Sequence, residues 1–194
     1  NLSRLLVGAR SSISIAVIAI ASGSIVGFVM GILSGYYADW RDSLIQRIVD
    51  VVMSVPTLVL ALAIVATAGQ SQRNVIIAIA VIQIPNMARV VRSVVLSVRE
   101  MEFVQAIRAV GASDVRILVR HIAPQTFAPV IIVVTSFLGL AIIIEASLSF
   151  LGLGVPAPKP SWGAMVDENS TVTVFNRTPW NAIFPGLALT LTVF

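Results

Sequence analysis

The sequence predicts an all-α, polytopic membrane protein, and three observations carry that prediction. Apolar residues make up 57% of the 194 residues and charged residues only 11%. With a mean hydropathy of +0.96, this is far from the roughly half-apolar, quarter-charged balance of a soluble domain. The charges are also unevenly placed, leaving long uncharged intervals, and a bilayer core about 30 Å thick needs roughly 20 apolar residues per helix. Finally, a polar, Arg-rich segment from Arg99 to Pro124 is set between two such apolar runs.

No residue between Arg10 and Asp39 is charged, and none between Asp50 and Arg73, which predicts two spans. Asn74 to Ala88 continues as Val, Ile and Ala until Arg89 and forms a third. Ile122 to Ile144 is uncharged, with Glu145 the one interruption before Lys159, and after Arg177 the chain stays apolar to Phe194. These are a fourth span and the beginning of a fifth. The abrupt start at Asn1 and the unflanked finish predict a fragment: one transmembrane domain over 1–194, with a further helix before Asn1 and the rest of the last one after Phe194.

Orientation follows from the basic residues, which are enriched in short cytoplasmic loops. Arg89, Arg92, Arg99, Arg108, Arg116 and Arg120 lie in or beside the 99–124 segment, and Arg41 and Arg47 fall on the same side two spans away. That tally is eight, against five for Arg4, Arg10, Arg73, Lys159 and Arg177. The 99–124 segment is therefore placed in the cytoplasm. The net charge of +4 follows membrane sidedness and calls for no nucleic-acid partner. With no Cys there is neither a disulfide framework nor a thiolate metal site.

Within 99–124, Phe103, Ile107 and Val110 recur at helical spacing, with Glu102 and Arg108 elsewhere around the helix, which predicts a short amphipathic helix. Gly111 fits its C-terminal cap, and Ser113 followed by Asp114 fits the N-cap and first-turn acid of a second helix. Val115, Leu118, Val119 and Ile122 form that helix's expected apolar face, and Pro124 marks the approach to the next span. Periodicity alone leaves two readings open: a hairpin lying on anionic lipid, or a docking element for another protein.

Gln105-Ala106-Ile107, followed by Gly111 and then by His121-Ile122-Ala123-Pro124, is similar to the "EAA" signature of bacterial ABC importer permeases. In that signature Glu-Ala-Ala, a Gly four positions after the last Ala, and a downstream Pro recur. Glu145-Ala-Ser-Leu-Ser-Phe-Leu-Gly-Leu-Gly154, with Pro160-Ser-Trp-Gly163 after it, resembles the second membrane subunit of the dipeptide, oligopeptide and nickel permeases. Leu2 to Arg10 and Arg47 to Pro56 resemble the same subunit, so the likeness covers nearly the whole chain.

The resemblance implies a type I ABC importer (MetI-like) transmembrane domain, with about five spans present of an expected six, forming half of a translocation pathway for peptides. It implies that 99–124 is the cytoplasmic coupling segment, with Glu102, Gln105, Ala106, Ile107, Gly111, Ala112 and Ser113 meeting an ATPase subunit and Pro124 closing the element. The chain departs from the pattern at Gln105, where the family has Glu, at Ile107, where it has Ala, and at Ala123, where it has Leu. Glu-to-Gln removes a charge that could pair with an Arg of the ATPase. The implied partners are a second homologous permease, two ABC ATPase subunits, an extracytoplasmic substrate-binding protein and the lipid bilayer. The implied location is the inner (plasma) membrane, crossed several times. Nickel or another small solute is an alternative cargo.

The chain has no Gly-x-x-x-x-Gly-Lys-Ser/Thr phosphate loop, so no cofactor or enzymatic activity is expected of it. ATP and Mg belong, on this reading, to the partner ATPases. Transport then requires two membrane states that the partner's nucleotide state biases.

Other features carry two readings each. Gly23, Gly27, Gly31 and Gly35 form a stripe on one helix face that lets another helix approach closely, although Gly is common in membrane helices anyway. Glu145 falls near the outer end of its span, either as a pathway or gate residue or as a structural acid bonded to Ser147, Ser149 or a neighbouring helix. Gln83, Pro85 and Asn86 mark either a cavity-facing bend or a helix nearing the interface, with Arg89 and Arg92 reaching headgroups; Pro56 invites the same pair. His121 reads as a helix-end residue rather than a metal ligand, and Asp167 with Glu168 as solvated loop charges.

The connection 154–179, with Trp162 inside it and Trp180 directly after it, reads as a structured extracytoplasmic loop. By resemblance it faces the binding protein, and otherwise its Trp side chains anchor at the headgroups. Asn169-Ser-Thr171 and Asn176-Arg-Thr178 match glycosylation sequons of little weight. An ion-coupled secondary transporter is the alternative function, and it would need ionisable residues or broken helices at mid-membrane, for which Glu145 is the one candidate. An intramembrane enzyme fits poorly with a single His and no Cys.

Overall fold

A computed structural model describes residues 2–156, 158–171 and 178–193. Asn176 and Arg177 of the second sequon lie outside the described residues. The helices are α1 (Leu2–Tyr37), α2 (Trp40–Met53), α3 (Thr57–Ala68), α4 (Gln72–Arg99), α5 (Glu102–Ala109), α6 (Asp114–Ile117), α7 (Phe127–Phe150), α8 (Trp162–Glu168) and α9 (Trp180–Val193). A π turn, Leu118–Ile122, and a 3-10 turn, Ala123–Thr126, link α6 to α7.

Among the described residues, three stretches can cross a membrane by length and composition: α1, α4 and the run Asp114–Phe150. A fourth is reached only if α2 and α3 count together as one broken span. The span expected between Asp50 and Arg73 is thus interrupted at Pro56, the bend being one of the two readings that residue invites. Pro56 lacks an N–H and clashes with the preceding turn, so the helix stops at Met53 and restarts at Thr57. The 12 residues of α3 reach about 18 Å at 1.5 Å each, short of the hydrocarbon core. The third span is longer than the 74–88 interval, running on to Arg99. Pro85 sits inside α4, where Asn86 Nδ2 donates to the Ile82 carbonyl at 3.0 Å and offsets part of the lost backbone bonding. The expected fifth span is represented by the 14-residue α9.

The chain divides into two compact units. One comprises Ser22–Val55 and Ile82–Thr135. Its core gathers Ile32, Tyr36, Met87, Val91, Val95, Val98, Val104, Ile117, Leu118 and Ile122. The glycine stripe faces α4 here. A Cβ added at Gly27 would stand 2.6 Å from the Ile84 carbonyl oxygen, one at Gly31 2.7 Å from that of Ala88, and one at Gly35 2.9 Å from that of Arg92. Three carbonyls at helical spacing thus oppose three glycines, with Met87, Val91 and Val95 seated against the same stripe, and the two backbones come close because α1 has no side chains there. Gly23 is buried as well.

Polar side chains tie this unit together. Arg92 donates from Nε and Nη2 to the two oxygens of Asp42 at 2.7 and 2.6 Å, Ser34 donates to the same carboxylate, and Gln46 donates to Ser34 Oγ at 3.0 Å. Arg89 meets Asp50 at 2.7 Å. Both arginines are therefore paired with acids of α2, which replaces the expectation that they extend freely to headgroups.

The other unit comprises Asn1–Ala21, Pro56–Val81 and Ser136–Phe194. Ile15, Ala19, Ala61, Val65, Ala78, Ile79, Ile142, Ile144 and Leu148 are among its buried apolar residues. Helix α7 ends in a left-handed Gly152 (φ +74°), with the Leu153 N–H reaching back to the Leu148 carbonyl at 2.9 Å, a Schellman closure. The chain can then fold α8 back, because Gly163 packs on Ala146 and Ser149, where a Cβ would lie 2.3 Å from the Ala146 carbonyl oxygen.

Substituting Gly31→Val is expected to overpack the α1–α4 contact and lower stability by roughly 1–3 kcal/mol, measured as a lower thermal midpoint in detergent. Gly186→Ala, whose Cβ meets nothing within 4 Å, should leave that midpoint unchanged or slightly higher.

Candidate functional site

The 99–124 segment lies wholly in the first of these units. Arg99 ends α4 and turns back, donating from Nη1 to the carbonyls of Gly35 and Tyr36 at 3.2 Å each, so a cation caps the C-terminal end of α1. Its Nε holds Glu100 at 2.9 Å. Met101 adopts an extended backbone as N-cap, and α5 follows with Glu102 in its first turn.

The end of α5 is a Schellman motif. Gly111 takes φ +82°, its N–H bonds the Arg108 carbonyl at 3.0 Å, and the Ala112 N–H bonds that of Ile107 at 3.3 Å. A side chain at Gly111 would be strained in this conformation. Ser113 occupies the N-cap of α6 with an extended backbone, but its hydroxyl makes no capping bond. The first-turn acid has a different task from the one periodicity suggests. Tyr36 Oη donates to Asp114 Oδ1 at 2.5 Å, and Arg108 Nη2 donates to Tyr36 Oη at 3.5 Å, its guanidinium lying 5.7 Å from the ring centroid. One tyrosine at the end of α1 therefore holds both α5 and α6.

Burial corrects the predicted faces. Val104, Ile117, Leu118 and Ile122 are the buried residues, with Ile107 and Ala112 packed partly against them. Phe103 and Val110, expected beside Ile107, are exposed, Val110 to 84%, and so are Val115 and Val119 at 69% and 67%. The segment is apolar on more than one side, so a stripe chosen by spacing alone picked the outer one in part. The π turn then re-phases the chain before α7. Glu102, Gln105, Ala106, Gly111 and Ser113 are exposed, Ala112 is half-buried and Pro124 is exposed at the start of the 3-10 turn.

The remaining candidates lie in the other unit. Glu145 has no exposed surface, accepts from Ser149 Oγ at 2.8 Å, and has Ser12 and Ser161 beside it. Of the two readings left open for it, the burial and the Ser149 bond match the structural acid, an interior residue lying among α1, α7 and Ser161 at the start of α8. Trp162 is buried rather than anchored at headgroups, with Nε1 donating to the Leu5 carbonyl at 3.1 Å. Trp180 is exposed and stacks on Phe184. Glu168 belongs to α8 and pairs with Arg4 at 2.9 Å, so it is not a free loop charge.

With that geometry in place, known proteins can be compared. Residues 23–194 match the family model described as "Binding-protein-dependent transport system inner membrane component". The chain belongs to this family. The dipeptide transport system permease protein DppC of Alkalihalophilus pseudofirmus is 41% identical over 191 residues, covering 98% of this chain and 62% of that protein. The glutathione transport system permease protein GsiD of Pectobacterium atrosepticum is 41% identical over 98% of this chain and 63% of its own length. GsiD of Escherichia coli O157:H7 is 46% identical over 98% and 62%. The chain thus spans about three fifths of the length of these relatives. A solved structure of the inward-facing MetNI methionine ABC transporter superposes with a TM-score of 0.81 over 99% of this chain and 90% of that one. At 17% identity this likeness concerns the fold.

In this permease-family chain, spacing did not reveal Tyr36, Arg99, Arg108 or the Asp42–Arg92 pair. The available signal was position: a tyrosine directly after the last stripe glycine, and an acid and a base in polar segments flanking adjacent apolar runs. Tyr36→Phe removes both hydroxyl bonds and is expected to weaken the hold on α5–α6 by about 1–2 kcal/mol, seen as faster amide hydrogen exchange confined to residues 102–117. Glu145→Ala leaves a cavity and takes the acceptor from the Ser149 hydroxyl, so stability should fall by about 2–4 kcal/mol. Glu145→Gln should retain most of it in the same thermal assay.

Proposed function

We propose that this chain is the membrane-spanning permease subunit of an ATP-driven importer for short peptides, and that α5 and α6 form its coupling element with an ATPase subunit. The observation that carries the reading is the pairing of firm anchorage with an open apolar side. The segment is fastened to α1 through Tyr36 and Arg99, yet leaves Val110, Val115 and Val119 outward. An apolar side held this rigidly suits docking against a folded partner, because little ordering remains to be done on association.

Supporting the cargo class, relatives at 41–46% identity are named for dipeptide and glutathione transport. The proposed assembly includes a second homologous permease, two ATPase subunits that hold ATP and Mg, and an extracytoplasmic binding protein facing the 154–179 connection. The proposed position of the coupling element is the cytoplasmic side of the inner membrane, a reading supported by the charge bias and by the family's description as an inner membrane component. Nucleotide-driven movement of the ATPases would then shift the bundle between two access states.

A Cys at the exposed Ala106, paired with one in the groove of a co-expressed ATPase subunit, should crosslink in membranes with a yield that changes on adding ATP. Absence of a crosslink at every groove position, with both subunits folded and present, would overturn the coupling role.

A further inference from the structure

Most arginines of the unit that holds the coupling element are spent inside the fold. Arg89, Arg92 and Arg99 meet Asp50, Asp42 and Glu100, Arg41 lies beside Asp39, and Arg108 rests on Tyr36. Arg116 and Arg120 are used differently. Both are exposed, and among the described residues neither has an ion pair or a hydrogen bond.

The local fold sets these two cations together. Arg116 belongs to the last turn of α6, and Arg120 stands in the π turn Leu118–Ile122. In a regular α-helix residues four apart are offset by about 40° around the axis, and the slacker winding of a π turn reduces that offset. The two stems therefore rise from one face, one turn apart, where like charges repel. Asp114 does not relieve them, because it lies about 200° around the helix from Arg116 and its carboxylate accepts from Tyr36 Oη. No other acid occurs between Val115 and Ile144.

Beyond the pair the surface becomes apolar. Phe127, Ile131 and Ile132 are each more than half exposed, in a run long and apolar enough to cross a membrane. Roughly 18 Å of helix separates Arg120 from Ile132, about the depth of one leaflet with its headgroups. A ligand that satisfies this stretch has an anionic head joined end to end with a long apolar body. Val115 and Val119 stand about 100° away around the same helix, so the side assigned above to the ATPase is a neighbouring face.

We infer that Arg116 and Arg120 clamp the phosphate of an anionic phospholipid whose acyl chains lie along Phe127, Ile131 and Ile132. Guanidinium forks match phosphate oxygens, and the bound headgroup relieves the repulsion between the two cations. The site ties the junction of α6 and α7 to the bilayer surface. It rests on α7 as a membrane span and is independent of the coupling role.

The test mixes the complete transporter, in an uncharged detergent, with equimolar phosphatidylglycerol and phosphatidylcholine and measures bound lipid by native mass spectrometry. Phosphatidylglycerol should be retained in preference. Arg116→Gln and Arg120→Gln should each weaken its binding about fivefold, and the double variant about 25-fold, with phosphatidylcholine binding unchanged. Both side chains are exposed and unpaired, so the variants should keep the thermal midpoint of the unsubstituted protein in lipid-free detergent. Arg47→Gln, which removes another exposed arginine, should leave the preference intact. If it weakens phosphatidylglycerol binding as much, diffuse charge draws the lipid and the site falls. An unchanged preference in the double variant also overturns it. In nanodiscs of phosphatidylcholine alone the double variant should bind the ATPase subunit normally; a loss there, with phosphatidylglycerol binding intact, would assign the pair to the ATPase instead. If the Ala106 crosslink fails while the double variant still loses phosphatidylglycerol, the coupling role falls and the lipid site stands.

Discussion

Contact between the backbones of α1 and α4 is the constraint from which the arrangement of the coupling element follows. In a bilayer, apolar side chains gain little by leaving lipid for one another, so helices associate through close packing and through hydrogen bonds. Gly27, Gly31 and Gly35 supply the first by letting three α4 carbonyls come within touching distance. With the helices that close, Arg99 at the end of one reaches the terminal carbonyls of the other. The Arg92–Asp42–Ser34–Gln46 chain closes on the same surface. Bulkier residues in the stripe would move every one of these donors away from its acceptor.

The two compact units use polarity differently. Residues 22–55 and 82–135 concentrate ion pairs and an arginine-capped helix end, and these give a defined geometry to a segment that also has exposed charge. Residues 1–21, 56–81 and 136–194 instead bury Glu145 with Ser12, Ser149 and Ser161, a set of hydroxyls around one acid without a cation. The first device tolerates contact with water. The second works only where water is kept out, since an exposed acid would be solvated and would lose its hold on α8.

What the chain's one-dimensional pattern shows well is hydropathy. The long spans, the polar segment between them, the helix-ending Gly111 and the glycine stripe all follow from composition or from residues with a single conformational preference. Register within short elements is less legible. In α5, Phe103, Val104, Ile107 and Val110 offer more than one apolar face, and only the burial of Val104 in one core with Tyr36 and Val95 decides which is inside. Pairings across the chain are legible least: nothing local to Asp42 points to Arg92, and nothing local to Tyr36 points to Asp114. Pro56 shows a middle case, because proline announces an interruption without saying whether a membrane helix bends or stops.

The attachment of α5 has a mechanical meaning. Its N-terminal end continues from α4 through Glu100 and Met101, and its C-terminal half is held to α1 through Arg108 and Tyr36. A load on its outward side therefore acts on a short beam supported at two points, one on each of two long helices whose backbones are in contact. Such a beam cannot simply translate. It converts a push into a torque shared by α1 and α4, and because Met87, Val91 and Val95 are seated in the glycine stripe, the two helices are keyed together and take up that torque as one piece.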